Sequence, residues 1–239
     1  MAKVKTRDRI LNTSLALFNS VGEPNVTTLL ISDEMDISPG NLYYHFKSKG
    51  DIVEELFGHF EEEMLDLLAV PEDVDISLDQ QSFFLHLLFE AVARYRFILQ
   101  DLGNILSRYD QLQVRFKRLL KKKTAAFRVI CESFRRQEKM GLDGEQLDSL
   151  CEQLTLTACY WGSFDTLSHL DNRDKVDPGR GVYQMMHLMI PYLAPDEQAH
   201  ARLVSRDYLK PAPSSTLVHR ITLPRRGRHA DASVPLRVP

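Results

Sequence analysis

Side chains that can hydrogen-bond to a polyanion are concentrated between residues 26 and 49, where the sequence reads VTTLLISDEMDISPGNLYYHFKSK. The stretch contains two short segments with helical spacing, a D-I-S-P-G break between them, and an aromatic cluster flanked by lysines. In a helix-turn-helix, the second helix lies in the major groove of DNA and neighbouring groups hold phosphates. The pattern therefore predicts a helix-turn-helix whose partner is double-stranded DNA.

Start signals predict the two helices of this motif. Thr27 is a good N-cap for a helix over about 28–35, and Ser38, followed by a proline at the first helical position, caps a short helix over about 39–45. Four apolar side chains are expected to face inward and anchor these helices: Leu30, Ile31, Leu42 and Phe46.

Two further helices are predicted to hold the motif in place. The apolar spacing over residues 6–21 predicts a helix that ends before Gly22. Ser48 and Asp51 form an S-x-x-D start for a fourth helix, over about 51–68, with one apolar stripe and an acidic opposite face. The motif is therefore expected between an N-terminal helix and a longer helix that leads to the rest of the chain.

Residues at fixed spacing across this head form a recognisable pattern: Arg9-Ile10-Leu11, Leu17-Phe18, Gly22, Thr27-Thr28, Ile31 and Ile37-Ser38-x-Gly40-x-Leu42-Tyr43-x-His45-Phe46-x-x-Lys49. Over residues 6–60 the sequence resembles the TetR family of bacterial transcription regulators. More narrowly, GEPNV, ISPGNLYYHF, YRFILQDL and YQMMHLMIPYL are similar to the TetR-type regulators encoded with polyhydroxyalkanoate genes. The sequence departs from the family pattern at Ser32 and Met35 (usually alanines), at Asp36 (often glycine) and at Gly50 (usually acidic).

The resemblance implies that Thr28, two tyrosines, a histidine and Lys49 contact the DNA backbone or base edges. Lysines and an arginine near the motif and on an N-terminal arm, including Lys3, suit phosphates, and Gly40 would let the backbone approach DNA closely. The predicted DNA-contacting set is Lys5, Arg7, Thr27, Thr28, Ser38, Pro39, Gly40, Asn41, Tyr43, Tyr44, His45, Lys47 and Lys49. The alternative is that the tyrosines and the histidine pack between the first and fourth helices.

Beyond an acidic linker over 71–79, the rest of the chain is also predicted to be helical, because no stretch alternates with a period of two. Helices are expected over 79–101, 109–139, 143–170 and 182–193. The predicted fold is all-α and TetR-like: a three-helix DNA-binding domain at 1–50, a connecting helix at 51–68, an effector-binding and dimerisation domain at 69–210, and a disordered basic, proline-rich tail at 211–239.

Aromatic side chains are frequent in the helical body, where a bundle can hold a pocket between helices. The candidate pocket residues are Phe84, Leu88, Tyr95, Phe116, Phe127, Cys131, Phe134 and Trp161. A small apolar effector is expected, such as a fatty-acyl compound or an acyl-CoA. Basic residues would neutralise the phosphates of an acyl-CoA: Arg115, Lys117, Arg118, Lys121, Lys122 and Lys123. The alternatives are that the aromatic residues only fill a core and that the basic face is only solvated.

A short reading head buries too little surface for specific binding, so a two-fold dimer that reads two half-sites is expected. The candidate dimerisation residues belong to the last two predicted helices: Leu147, Leu150, Leu154, Ala158, Trp161, Met185 and Met189. The resemblance implies that these helices form a four-helix bundle with the partner. The alternative is that they close the core of a single chain.

Composition excludes several other function classes. The formal net charge of −3 means that any DNA contact must come from locally placed cations. The sequence contains no P-loop, GxGxxG, GxSxG or HExxH pattern and no convincing cluster of metal ligands, so neither catalysis nor a cofactor is expected. The unpaired cysteines, and the lack of an apolar run long enough for a leader or a membrane span, predict a cytoplasmic protein with no membrane partner.

Two functional hypotheses follow from these features. The first is a homodimeric transcription regulator that binds operator DNA and is released or remodelled when a small apolar effector binds. The second is an all-helical acyl-binding carrier or enzyme whose DNA-binding head is vestigial. Retention of specific duplexes favours the first, and turnover of an acyl compound without such retention favours the second.

Overall fold

The computed structural model describes residues 5–169 and 177–210, and the regular elements within them are helices, apart from an isolated antiparallel bridge between Met140 and Leu193. The α-helices are α1 Thr6–Val21, α2 Thr28–Glu34, α3 Pro39–His45, α4 Lys49–Leu67, α5 Leu78–Arg94, α6 Arg96–Gln100, α7 Leu102–Arg108, α8 Asp110–Arg136, α9 Gly144–Ser168, α10 Pro178–Met189 and α11 Pro195–Asp207. The predicted all-α class is confirmed. The predictions for Lys3 and for the tail at 211–239 lie outside the described residues.

The head consists of α1, α2 and α3, which pack around a small apolar core. Ile10, Phe18, Ile31 and Leu42 are fully or almost fully buried there. The inward orientation predicted for Leu30 is wrong, because its side chain is 38% exposed. Successive residues on a helix point about 100° apart, so with Ile31 facing the core its neighbour turns to the surface.

The turn between α2 and α3 forms although Asp36 stands where the family often has glycine. Asp36 has φ of 53°, in the left-handed region that aspartate and asparagine tolerate better than other non-glycine residues. The amide of Ile37 donates to the carbonyl of Ser32 at 3.1 Å and closes the turn. The departure from the family pattern therefore leaves the turn intact.

Helix α4 connects the head to the body. Its start is a capping box, in which the Ser48 hydroxyl accepts from the amide of Asp51 and the Asp51 carboxylate accepts from the amide of Ser48. One face of α4 buries Ile52, Phe60 and Met64, and the helix packs against α1, α5 and α8. Helix α4 is therefore in contact with both the head and the body.

The prediction of one helix over 79–101 is wrong, because the chain breaks at Tyr95 and again at Asp101. At the first break the Asn19 side chain from α1 replaces hydrogen bonds that a continuous helix would make. Its amide nitrogen donates to the carbonyl of Arg94 at 2.8 Å, and its amide oxygen accepts from the amide of Phe97 at 3.0 Å. A single asparagine of the head therefore ends α5 and starts α6.

The body packs α5, α8, α9 and α10 around the main core. Helix α10 approaches α5 so closely that a Cβ at Gly181 would lie 2.6 Å from ring carbons of Phe89. This helix begins at Pro178, earlier than predicted, and ends in a 3-10 turn over Ile190–Tyr192 where the sequence has a proline. Helix α11 was not predicted, although Pro195 at its first position followed by acidic residues is a start signal.

Candidate nucleic-acid interface and helical body

Helix α3 presents an exposed polar and aromatic face. Tyr44 is 78% exposed and Tyr43 is 45% exposed, while Pro39, Gly40 and Asn41 are also exposed. The opposite side of the helix is anchored by the fully buried Leu42. The short helix is thus held by one side and offers hydrogen-bonding groups and aromatic rings on the other.

The caps and one side-chain bond fix the orientation of this face. Oγ1 of Thr27 accepts from the amide of Leu30 at 3.1 Å, and Oγ of Ser38 accepts from the amide of Asn41 at 3.3 Å. The hydroxyls of Thr28 and Tyr43 lie 2.9 Å apart, which ties α2 to α3. Thr27 and Ser38 therefore satisfy the amides that start α2 and α3.

The remaining predicted contacts surround this face in different ways. Lys47 is exposed, and its Nζ reaches the carbonyl of Tyr43 at 3.3 Å. The His45 ring is partly exposed and meets Tyr44 edge-on. Lys5 is exposed at the N-cap of α1. These groups are exposed or partly exposed, as the predicted contact with a phosphate or a base requires.

Arg7 is already engaged within the protein. Its guanidinium pairs with the carboxylate of Glu55 on α4 and lies 4.7 Å from the ring centroid of Phe46. The side chain remains 47% exposed. Any contact of Arg7 with a phosphate would therefore compete with, or share, an existing ion pair.

Lys49, predicted to contact a phosphate, is paired with a buried carboxylate. Its Nζ lies 2.8 Å from Oε1 of Glu23, a residue that is 1% exposed, and 2.9 Å from the Glu23 carbonyl oxygen. Nη1 of Arg108 lies 2.8 Å from Oε2, and the hydroxyl of Tyr109 donates to Oε1 at 2.8 Å. We call these four side chains the Glu23 cluster.

The Glu23 cluster joins the head to the junction of α7 and α8. Burial, together with the hydrogen bond to Glu23, raises the pKa of the Tyr109 hydroxyl well above its ordinary value, so this group remains a donor. A Cβ at Gly50, where the family usually has an acidic residue, would lie 3.3 Å from Cε1 of Tyr109, so a side chain there would require the Tyr109 ring to shift slightly. A phosphate contacted by Lys49, as predicted, would therefore compete with Glu23 for the charge of the lysine.

The predicted pocket residues lie in the body core. Leu88, Tyr95, Phe116, Phe127, Cys131 and Phe134 are buried, whereas Phe84 and Trp161 are partly exposed. Edge-on packing joins Phe84 of α5 to Phe127 of α8, with centroids 6.2 Å apart. Tyr95 packs instead on Phe60 of α4.

A separate open depression of about 590 Å³ lies at the end of α8. Its lining contains none of the predicted pocket residues and consists of Glu132, Arg135, Arg136, Glu138, Met140, Gly141 and Leu142. The candidate pocket in the core and this surface depression are therefore distinct places.

The basic residues of α8 do not form one binding face. Arg115 and Arg118 both bind Glu61 of α4, at 2.7 Å each. Burial raises the pKa of the Glu61 carboxyl, but the hydrogen bonds from Arg115 and Arg118 outweigh this effect and hold it below its ordinary value. The remaining four divide between the exposed Lys117, Lys121 and Lys122 and the buried Lys123.

The predicted dimerisation residues pack mainly inside a single chain. Leu147, Leu150, Leu154, Ala158, Met185 and Met189 are buried in the protomer core, and Trp161 is partly buried. The interior alternative left open by the sequence thus describes these side chains. A different face of α9 carries exposed apolar groups, namely Leu156, Tyr160, Phe164 and Leu167. We call these four residues the α9 stripe.

Sequence reasoning missed two of these features for different reasons. The α9 stripe has helical spacing, with residues four, eight and eleven positions apart from the first, and this spacing was available in the sequence. No local sequence pattern indicated the partners of Glu23, because Arg108 and Tyr109 lie 85 and 86 residues away.

The short capped helices of the head, the exposed face of α3 and the helical body define a helix-turn-helix protein. The family described as "TetR: Bacterial transcriptional repressor" matches residues 59–201, and the one described as "Bacterial regulatory proteins, tetR family" matches residues 10–56. The chain belongs to the TetR family. The narrower resemblance to regulators encoded with polyhydroxyalkanoate genes stays a prediction.

Individual relatives agree with this family. A crystal structure of a TetR-family transcriptional regulator from Marinobacter aquaeolei VT8 is 32% identical, with a TM-score of 0.77, over 86% of this chain and 99% of that one. The ketosteroid transcriptional regulator KstR2 of Mycobacterium tuberculosis shares the fold, with 17% identity, a TM-score of 0.57 and coverage of 80% and 97%.

A curated relative matches only in part. The probable HTH-type transcriptional regulator YttP of Bacillus subtilis strain 168 is 28% identical over 91 residues, which is 38% of this chain. The match spans 44% of the length of that relative. Within the described residues, no helix is both long enough and apolar enough to cross a bilayer.

Proposed function

We propose that this protein is a transcription regulator that binds operator DNA through α3. The exposed, rigidly oriented face of α3 carries the proposal, because it offers Asn41 and Tyr44 to base edges and backbone. Lys5 and Lys47 are placed to hold phosphates beside it. The division of the chain into a DNA-binding head, a connecting helix and a sensing body is part of the same proposal.

The protein acts as a homodimer in this proposal, with the α9 stripe at the two-fold axis. Its exposed leucines and aromatic rings supply an apolar surface that a second copy can cover. A two-fold pair places two α3 helices on half-sites about 34 Å apart along one side of the duplex. Each copy then contributes half of the specific contact.

A small apolar effector bound among the helices of the body would control DNA binding. The support is the aromatic core between α5 and α8, where Phe84 remains accessible beside the buried Phe127. The effector acts by favouring one orientation of α4 over another, which changes the separation of the two heads. When both half-sites can no longer be met together, operator affinity falls.

The Glu23 cluster is the contact through which this change would pass. It binds the start of α4 through Lys49 and the start of α8 through Arg108 and Tyr109. The Asn19 side chain adds a second connection, from α1 to the break between α5 and α6. A displacement of α8 or α6 is therefore passed directly to the head.

Selection of bound duplexes from a random pool tests this function. We expect enrichment of an inverted repeat and a footprint with two protected half-sites. An acyl-binding carrier or enzyme with a vestigial head is the alternative, and it predicts no enriched sequence at any salt concentration. Turnover of an acyl compound in the absence of an enriched duplex would establish that alternative.

A further inference from the structure

Lys123 differs from its basic neighbours on α8 because it turns into the protein. The residue is 1% exposed, whereas Lys117, Lys121 and Lys122 are exposed. Its Nζ donates to Sγ of Cys159 on α9 at 3.4 Å. Within the described part of the chain, no carboxylate pairs with this ammonium group.

A buried ammonium group is unfavourable unless other groups replace the water that it loses. The thiol of Cys159 is a weak acceptor and is itself buried, so it compensates the charge poorly. Arg115 and Arg118, by contrast, have the carboxylate of Glu61. Lys123 is therefore a buried amine whose acceptor within the described residues, the Cys159 thiol, is a weak one.

The surroundings of Lys123 suit an apolar ligand. Phe127 lies one turn further along α8, and residues four apart on a helix are neighbours on one face. Its ring meets Phe84 of α5, which is partly exposed. An aromatic pair that is partly exposed at Phe84 therefore reaches the helix that carries Lys123.

We propose that Lys123 anchors the negatively charged group of the effector, and that the effector is an apolar compound carrying one carboxylate. This inference rests on the proposed function and names the ligand class of its sensing body. The carboxylate accepts from Nζ of Lys123 in place of the Cys159 thiol, and the hydrocarbon part lies along Phe127 and Phe84. An acyl-CoA is disfavoured, because the other α8 cations are exposed or bound to Glu61 and would not meet its phosphates inside the body.

Binding of four matched probes tests the proposal on the full-length protein. Dodecanoate, methyl dodecanoate, dodecanol and dodecanoyl-CoA are titrated by calorimetry and by the fluorescence of Trp161, the one tryptophan of the chain. We expect dodecanoate to bind about ten-fold or more tightly than the ester and the alcohol, as a hydrogen bond between charged groups requires. Equal or tighter binding of the ester, the alcohol or dodecanoyl-CoA by the wild-type protein overturns the proposal whatever the variants do.

Two variants on the same helix give a matched comparison. Lys123→Met removes the buried charge at nearly constant volume and is expected to abolish the preference for the carboxylate. Lys122→Met makes the same chemical change on the exposed side and is expected to leave that preference intact. Should Lys123→Met fail to fold, Lys123→Arg keeps the charge and must keep the preference. A folded Lys123→Met that still prefers dodecanoate would refute the assignment.

The enriched duplex separates this inference from the proposed function. Lys123→Met is expected to bind that duplex like the wild type but to lose the response to dodecanoate. If a duplex is enriched but the wild-type protein shows no preference for the carboxylate, the protein is a regulator with a different ligand. If dodecanoate binding depends on Lys123 but no duplex is enriched, the protein is a carboxylate carrier, and the proposed function as a regulator is refuted.

Discussion

Tyr44 is the most exposed residue among the aromatic side chains of α3. In the proposed complex the duplex covers this side chain and displaces its water, whereas in the free protein the side chain takes no part in core packing. We expect Tyr44→Ala to weaken binding to the enriched duplex about ten-fold, the scale of one or two lost polar or stacking contacts. Gel-shift titration measures the affinity, and the melting temperature should stay unchanged.

Tyr44→Phe separates the ring from the hydroxyl, because it retains stacking and loses only a hydrogen bond. Tyr43→Phe is the companion variant, since it removes the bond to Thr28 that ties α2 to α3. It should cost about 1 kcal/mol of stability. Tyr44→Ala that binds the duplex like the wild type would place the reading contact elsewhere on the head.

Single residues also show where sequence reasoning reaches its limit. Thr27, Ser38 and Ser48 were predicted to cap helices, and each accepts from an amide three residues ahead. Lys49 was read as a phosphate contact, but its carboxylate partner lies 26 residues earlier in the chain. Local bonds depend on spacing that the sequence displays, whereas the partner of a lysine depends on the packed fold.

At the level of helices, the Glu23 cluster connects the start of α4 to the start of α8, which is the contact that the proposed mechanism uses. Tyr109→Phe removes one donor to Glu23 at constant shape, so the cost in stability should be about 1 kcal/mol. We expect faster amide hydrogen exchange at the start of α4 and in the turn over Glu23–Asn25. Operator affinity should fall as well, because the head is held less firmly.

Tyr192→Phe is a control for this prediction, since Tyr192 is a half-buried tyrosine in the turn after α10. It should leave exchange in the head unchanged. Gly50→Ala perturbs the same joint from the opposite side, by placing a methyl group against the Tyr109 ring. If neither Tyr109→Phe nor Gly50→Ala alters exchange in α4, the head is held by other contacts.

The end of a helix could be predicted where the interaction that ends it is local in the sequence, and could not be predicted where that interaction comes from a distant residue. α1 was predicted with its observed bounds, because Gly22 ends it locally. The break at Tyr95 has no glycine or proline at that position and depends on Asn19, whose side chain bonds to Arg94, 75 residues later. The apolar periodicity within 79–101 therefore identified the buried face correctly, but it could not predict the bend at Tyr95.

For the whole molecule, the proposed dimer predicts that the α9 stripe holds the two heads together. Phe164 is 60% exposed on this stripe, so Phe164→Glu should fold normally while placing a charge in the proposed interface. We expect sedimentation to report monomers and operator affinity to fall by at least about a hundred-fold, since one half-site contributes only part of the binding free energy. Val114→Glu, on an exposed position of α8, is the matched control.

A dimer that persists in Phe164→Glu, with operator affinity retained, would move the two-fold axis to another surface. The sequence predicted that the last helices of the body serve dimerisation, and the residues it named there are mostly buried within one chain. Apolar periodicity marks a helix that buries a face, and α9 has apolar groups on two faces. Only the packed fold distinguishes the face that the protomer already covers.

The close fit of Gly181 against the Phe89 ring restricts how the protein can deform. Any side chain at that glycine would collide with the ring, and a slide of α10 along α5 would bring larger residues of α10 against it. In the proposed mechanism, α5 and α10 are therefore expected to move as one unit. The separation of the two proposed heads would then be set mainly by the angle of α4.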